Sequence, residues 1–226
     1  QVQIFPRYHQ LDVVRMILAD VMEHGAGKRY LIQHSAGSGK SNSIAWLAHQ
    51  LISLTKDGKA VFDSVIVITD RRILDKQIRE TIKGFAQVSS VIGAVKEGAG
   101  TSKTEQLTKY LRDGKKLIIS TVQTFPHVLD SIGDEHRGGK FAIIIDEAHS
   151  SQSGKTSSAV SQAVADDEDE INNALDERIK KKRLAKNASY FAFTATPKNK
   201  TLEMFGVPYS EGGEVKHKPF HGYTMK

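Results

Sequence analysis

Tyr30-Leu31-Ile32-Gln33-His34-Ser35-Ala36-Gly37-Ser38-Gly39-Lys40-Ser41 is the stretch whose reading decides the fold. Leu31 and Ile32 form a short apolar run that predicts a buried strand. Small and glycine residues follow from Ser35, and then Ile44, Leu47, Ala48 and Leu51 recur at helical spacing over 43–54. Strand, flexible loop and helix in that order is the setting a phosphate-binding loop requires. Gly37 and Gly39, with Ala36 and Ser38 beside them, let the backbone turn tightly and aim successive N–H groups at one point, an anion nest. A helix starting near Lys40 adds the positive end of its dipole. Lys40 can reach β- and γ-phosphates, and the Ser41 hydroxyl can join the coordination shell of Mg2+. The strict pattern G-x-x-x-x-G-K-S/T is not met, because His34 holds its first glycine position. Glycine-lysine-serine alone fits a plain Ser/Gly connector equally well; the strand before it and the helix after it favour the nucleotide reading.

The whole chain sets outer bounds. Its 226 residues allow one large domain or two small ones. With 39% hydrophobic and 26% charged residues, it has the composition of an ordinary globular protein. No apolar run approaches the roughly 18–20 residues that span a bilayer, and the N-terminus lacks a signal pattern, so no membrane partner is expected. The absence of cysteine excludes disulfides and thiolate metal sites and fits a cytoplasmic protein. A formal charge of +6 permits contact with nucleic acid, but over this length it does not establish it. Lacking an initiator methionine, the chain is expected to be a piece of a longer one.

Further along, the pattern repeats. Val13, Val14, Ile17, Leu18 and Val21 predict a helix over 6–24, ended by Gly25 and Gly27. Val65 to Thr69, Leu117 to Thr121, Phe141 to Asp146 and Tyr190 to Thr194 read as strands, and 73–85 as a helix. Continuous apolar strands separated by helical segments predict an α/β fold: a three-layer P-loop NTPase domain with a mainly parallel sheet. In such sheets ligands sit beyond the carboxyl ends of the strands. Each strand ends in a polar residue there: His34, Thr69, Thr121, Asp146, Thr194. Residues 150–188 break the pattern with a Ser/Gln/Gly stretch, the acidic run Asp166 to Glu170 and the basic run Lys180 to Arg183. They read as an exposed insertion whose charges are solvated. Residues 206–226 show no clear period and read as an exit segment from a domain spanning 1–205.

Ile145-Asp146-Glu147-Ala148-His149 carries the second signal. An apolar strand followed by adjacent carboxylates supplies a metal-binding acid, Asp146, and a candidate base, Glu147, that would orient or deprotonate an attacking water. Proton removal by a positioned carboxylate contributes about 10²–10⁴ in rate. Alone, the pair could equally be acidic residues favoured at a helix N-terminus; a phosphate loop upstream makes the catalytic reading the better one. No second histidine stands at metal-site spacing from His149, so zinc is not proposed. Thr194-Ala195-Thr196-Pro197 closes the last strand with hydroxyls on the same edge.

Phosphate loop, Asp146-Glu147-Ala148-His149, then Thr194-Ala195-Thr196-Pro197, in that order, resemble motifs I, II and III of the first RecA-like lobe of superfamily 2 helicases and translocases. The resemblance covers nearly the whole chain. It implies ATP and Mg2+ as cofactors, Lys40 as the phosphate lysine, Ser41 and Asp146 as metal ligands, and Glu147 as catalytic base. His149, Thr194 and Thr196 match positions that couple the nucleotide site to the bound strand. Arg7 and Gln10 resemble, more loosely, an adenine-recognising segment. Thr69, Arg71, Thr121 and Gln123 sit where the family contacts the nucleic-acid backbone.

A narrower resemblance adds detail. Gln33 to Ser41, Thr69-Asp70-Arg71-Arg72, Asp146 to Gln152 and Phe193 to Lys198 are similar to the motor subunit of type I restriction enzymes, which tends to carry the His34 that breaks the strict glycine pattern. This resemblance implies ATP-driven pumping of double-stranded DNA before cleavage. Its partners would be modification and specificity subunits, with a nuclease domain and a second RecA-like lobe elsewhere in the full-length chain. Without that lobe an arginine finger is missing, worth about 10³–10⁵ in turnover in other systems, so the lobe alone is expected to hydrolyse ATP feebly or not at all. Two readings compete: a DEAH-type RNA helicase lobe, against which the Thr194-Ala195-Thr196 ending speaks, and a nucleotide-silent nucleic-acid-binding or subunit-docking module.

Overall fold

A computed structural model describes residues 5–69, 92–95, 102–121, 124–132, 138–146 and 186–224. Its elements in chain order are α1 (Tyr8–His24), β1 (Arg29–His34), α2 (Lys40–Ser53), β2 (Thr55–Lys56), β3 (Lys59–Ala60), β4 (Ser64–Thr69), β5 (Ile92–Ala94), α3 (Lys103–Arg112), β6 (Leu117–Thr121), α4 (Phe125–Asp130), β7 (Phe141–Ile145), β8 (Ala188–Thr194), α5 (Asn199–Phe205), β9 (Val207–Glu211), β10 (Glu214–Lys218) and β11 (His221–Tyr223). Seven strands form one sheet in the order β11-β1-β8-β7-β4-β6-β5. Every neighbouring pair in it is parallel. β9–β10 and β2–β3 are separate antiparallel hairpins. The expected α/β architecture is therefore present.

Side chains alternate across a strand with period two, and here both faces are apolar. Tyr30, Ile32, Val65, Val67, Ile119, Ile144, Phe191 and Phe193 face a core shared with α1 and α2. Leu31, Ile66, Ile68, Ile118, Ile143, Tyr190 and Ala192 face the opposite core, shared with α3, α4 and α5. Two covered faces explain why the strands read as unbroken apolar runs. α1 buries Val13, Val14, Ile17 and Val21 at helical spacing. α3, which the sequence reading did not identify, starts with a reciprocal cap: Glu105 N–H donates to Ser102 Oγ at 3.1 Å and Ser102 N–H to Glu105 Oε2 at 2.9 Å.

The end of the chain, read from sequence as an exit segment without clear period, holds β9, β10 and β11, and β11 pairs with β1 in the central sheet. Three residues are too few to show a period, and β11 becomes a strand because β1 offers it an open edge. The predicted helix over 73–85 and nearly all of the expected insertion, 150–185, fall outside the described residues.

Candidate functional site: the phosphate loop and the carboxyl edge of the sheet

Register aligns the polar strand ends. Gln33 is level with Thr194, Thr69 with Thr121, and Ile145 with Ala192, so Asp146 leaves the sheet beside the end of β8. One strand, β8, separates β1 from β7. At about 4.8 Å per strand, the phosphate loop and Asp146 lie about 10 Å apart along the sheet. That is the span a phosphate group and a bound cation would bridge.

The loop between β1 and α2 has the geometry of an anion nest. Gly37 and Gly39 take positive φ of 76° and 83°, and Gly39 caps α2. The positive φ at Gly39 favours glycine, and a Cβ there would also displace the Gln10 side-chain amide. α1 holds the loop from behind. Gln10 Nε2 donates to Gly39 O at 2.9 Å and to Ser38 O at 3.3 Å, and His9 Nε2 lies 2.9 Å from Ser38 O. A trans peptide points its N–H opposite to its C=O. Drawing the Ser38 and Gly39 carbonyls towards α1 therefore turns the N–H groups of Gly39 and Lys40 to the other side. No side chain caps the N-terminus of α2. N–H groups at a helix start, with the dipole behind them, attract an anion.

The expected residues that are described can be placed one by one. Arg7 is exposed at the start of α1, its N–H donating to Gln10 Oε1 at 2.8 Å. Gln10 is buried against the loop, with both ends of its amide engaged by backbone. Ala36 and Gly37 are exposed, Lys40 and Ser41 half-buried at the first turn of α2, and Ser38 fully buried with no partner for its hydroxyl. Asp146 is 2% exposed, and its N–H donates to Ile68 O at 2.9 Å, which ties it to β4. Thr194 is buried on β8 and Thr196 exposed beyond it. Glu147, His149, Arg71 and Gln123 lie outside the described residues.

Thr69 is fully buried at the end of β4, which lies between β6 and β7, and its Oγ1 makes no hydrogen bond. Thr121 is half-buried, its Oγ1 3.4 Å from Thr124 Oγ1.

Sequence reasoning missed a further layer. His34, fully buried at the end of β1, lies with Nε2 2.8 Å from His221 Nδ1, and His221 Nε2 is 3.3 Å from Asp12 Oδ2. Burial pushes the His34 imidazole down to about 3, helped by His221, His9 and Lys40. It is neutral near pH 7. With His221 donating Nε2–H to Asp12, its Nδ1 accepts from His34 Nε2–H, which leaves His34 Nδ1 as a buried acceptor without a partner. No local pattern could mark His221 or Asp12; only the fold brings them to His34.

A parallel sheet carrying an anion nest and a buried carboxylate on one edge defines a P-loop NTPase domain of the RecA-like type. The family model for SWI2/SNF2 ATPases matches residues 9–226, and the chain belongs to that family. The chain is 30% identical over 196 residues to a type I restriction enzyme endonuclease subunit of Staphylococcus aureus (strain COL), covering 85% of this chain and 17% of that protein. It is 26% identical over 172 residues to a putative type I restriction enzyme endonuclease subunit of Methanocaldococcus jannaschii, covering 74% of this chain and 13% of the relative. The crystal structure of T4 UvsW shares the fold, with a TM-score of 0.52 at 13% identity over 87% of this chain and 31% of that one. Among the described residues no helix is long and apolar enough to cross a membrane.

Proposed function

We propose that this chain is the first motor lobe of a type I restriction endonuclease subunit, one that binds and hydrolyses ATP with Mg2+ to pump double-stranded DNA. The observation that carries the reading is the joint placement of the uncapped nest at Gly37–Lys40 and buried Asp146 on one edge, two strands apart. That placement occurs in a chain whose curated relatives include type I restriction endonuclease subunits.

The donor set suits magnesium. Ser41 and Asp146 offer hard oxygen, and no group of three or more His, Cys, Asp or Glu among the described residues could hold a metal by itself. Magnesium is typically bound by one or two carboxylates together with substrate phosphates and water; when bound it would neutralise charge developing on the phosphate oxygens. In this reading Lys40 and the N–H groups of Gly39 and Lys40 orient the β- and γ-phosphates. Ser41 and Asp146 hold the metal, and Glu147 positions the water. Gln10 and Arg7 sit where adenine would approach. Thr194, Thr196 and His149 relay the state of this edge to bound DNA. Thr69, Arg71, Thr121 and Gln123 would grip phosphates without reading bases.

Residues 1–205 would form the body of the lobe, and 206–226 return to the sheet on the way to a second RecA-like lobe. The nuclease domain of the same chain and the modification and specificity subunits complete the assembly, in the cytoplasm. The test is ATP hydrolysis by the full-length protein with duplex DNA, with RNA and with neither, beside Lys40→Ala. Stimulation by duplex DNA that vanishes with Lys40→Ala is expected. Stimulation by RNA alone would point to a DEAH-type helicase, and unchanged behaviour of Lys40→Ala to a docking module.

A further inference from the structure

We propose that the last strand of the sheet, β11, is a positioning element of the nucleotide site, in which Tyr223 and His221 set the geometry of the phosphate loop through His9 and His34. The proposal rests on reading Ser35–Ser41 as that loop.

Contacts converge on the loop from this one strand. Ser35 N–H, at the loop's first residue, donates to Tyr223 O at 3.0 Å. The Tyr223 ring lies flat on the His9 ring, with centroids 3.7 Å apart and planes within 6°. His9 in turn donates from Nε2 to Ser38 O at 2.9 Å, at the loop's far side. His221 holds His34, the residue immediately before the loop, at 2.8 Å, and is itself held by Asp12 of α1. β11 therefore touches the loop's start directly and its turn through a stacked ring. The carbonyl that His9 holds is one of those whose orientation aims the nest.

The consequence is mechanical. Displacing β11 from β1 removes the Ser35 bond and the platform under His9 together. The His9 bond to the Ser38 carbonyl then loses the ring that fixes its direction, leaving the longer Gln10 contact of 3.3 Å beside it, and the aim of the Gly39 N–H loosens. Chain that pulls on Tyr223 would loosen phosphate binding, and bound phosphate would tighten the seat of β11, since such coupling is reciprocal.

The test compares binding of a fluorescent ATP analogue with Mg2+, and its displacement by inorganic pyrophosphate, across variants of the purified protein. Tyr223→Ala should weaken both about tenfold or more, with Tyr223→Phe restoring most of the loss by keeping the ring. His9→Phe preserves the stack but removes the nitrogen facing Ser38 O, and should weaken both at least about threefold even if Tyr223→Ala does not fold. Phe220→Ala, which disturbs packing against Tyr30 just before β11, should lower the melting temperature while leaving affinity within about twofold. Unchanged affinity in His9→Phe and Tyr223→Ala, with binding lost in Lys40→Ala, overturns the proposal alone. Equal losses in Phe220→Ala and Tyr223→Ala also overturn it, reducing the effect to general destabilisation. Unchanged binding in Lys40→Ala overturns the phosphate-loop reading and this inference with it.

Discussion

The two ends of β1 are built to opposite rules. At its amino end, Tyr30 donates its hydroxyl to Asp20 Oδ2 at 2.7 Å, and Lys28 Nζ reaches the same carboxylate at 2.9 and 3.1 Å. Burial pushes the Asp20 carboxyl up, but hydrogen bonds from Lys28 and Tyr30 and the charges of Lys28 and His24 outweigh it and hold the carboxyl below its ordinary value. Burial, and then Asp20, push the Tyr30 hydroxyl up. At the carboxyl end, His34 Nδ1 and Ser38 Oγ are buried with no partner, and the next helix starts without a cap. Buried polar atoms without partners are uncommon, and each calls for an explanation. One end of the strand is a completed lock. At the other, buried polar atoms lie beside a turn whose geometry suits an anion, in contrast to the fully paired network at the amino end.

That contrast can be broken at either end. Tyr30→Ala removes a ring that is 1% exposed and stacked on Phe191 at 4.9 Å. It should cost about 3–5 kcal/mol of stability, read as a drop in the urea midpoint; a change under ~1 kcal/mol would mean that the amino end is not part of the core. Lys40→Ala should leave the urea midpoint nearly in place while weakening the ATP analogue about 10- to 100-fold, the worth of a charge-assisted contact of about 1.5–3 kcal/mol. If stability falls and affinity stays, the roles assigned to the two ends are reversed.

Acid should separate them further. The unfolded imidazole titrates near 6.5 and folded His34 near 3, so between those values the unfolded chain binds more protons. The stabilising effect of keeping His34 neutral is complete above pH 6.5 and is lost as pH falls towards 3. It contributes a slope of at most about 1.4 kcal/mol per pH unit. His9, His221 and Lys40 surround the ring, so the check is the difference in slope between the parent and His34→Asn. Identical slopes would remove His34 as the source. Least affected should be Lys28→Ala. Its side chain is 44% exposed, and an exposed pair contributes about 0–1 kcal/mol; a larger loss on thermal melting would make the Asp20 network more than a surface lock.

How legible these regions were follows from chain distance. Gly37, Gly39, Lys40 and Ser41 are contiguous, and their strand and helix lie directly on either side, so the nest could be read locally. Asp146 could be read because an apolar run delivers it to the edge where Thr194 and His34 also end. β5 and β11, three residues each, are too short to show a period, and α3 was passed over although Ser102 and Glu105 spell its cap. The burial of Thr69 was illegible for another reason: whether a strand-end hydroxyl is exposed depends on which strands flank it.

By itself, then, the sequence determined a parallel α/β sheet, a candidate phosphate loop after its first strand and a carboxylate on the same edge. Each of those depends on side-chain pattern within one element, and such patterns survive in one dimension. Only the tertiary structure decided that Tyr223 and His221 stand behind that loop, that His34 is a neutral buried imidazole, and that Gln10 spends its amide on the Ser38 and Gly39 carbonyls. Those contacts include pairs 28 and 209 positions apart. Nothing in the local chain encodes them; they exist because β11 closes the sheet against β1 and α1 packs across the edge.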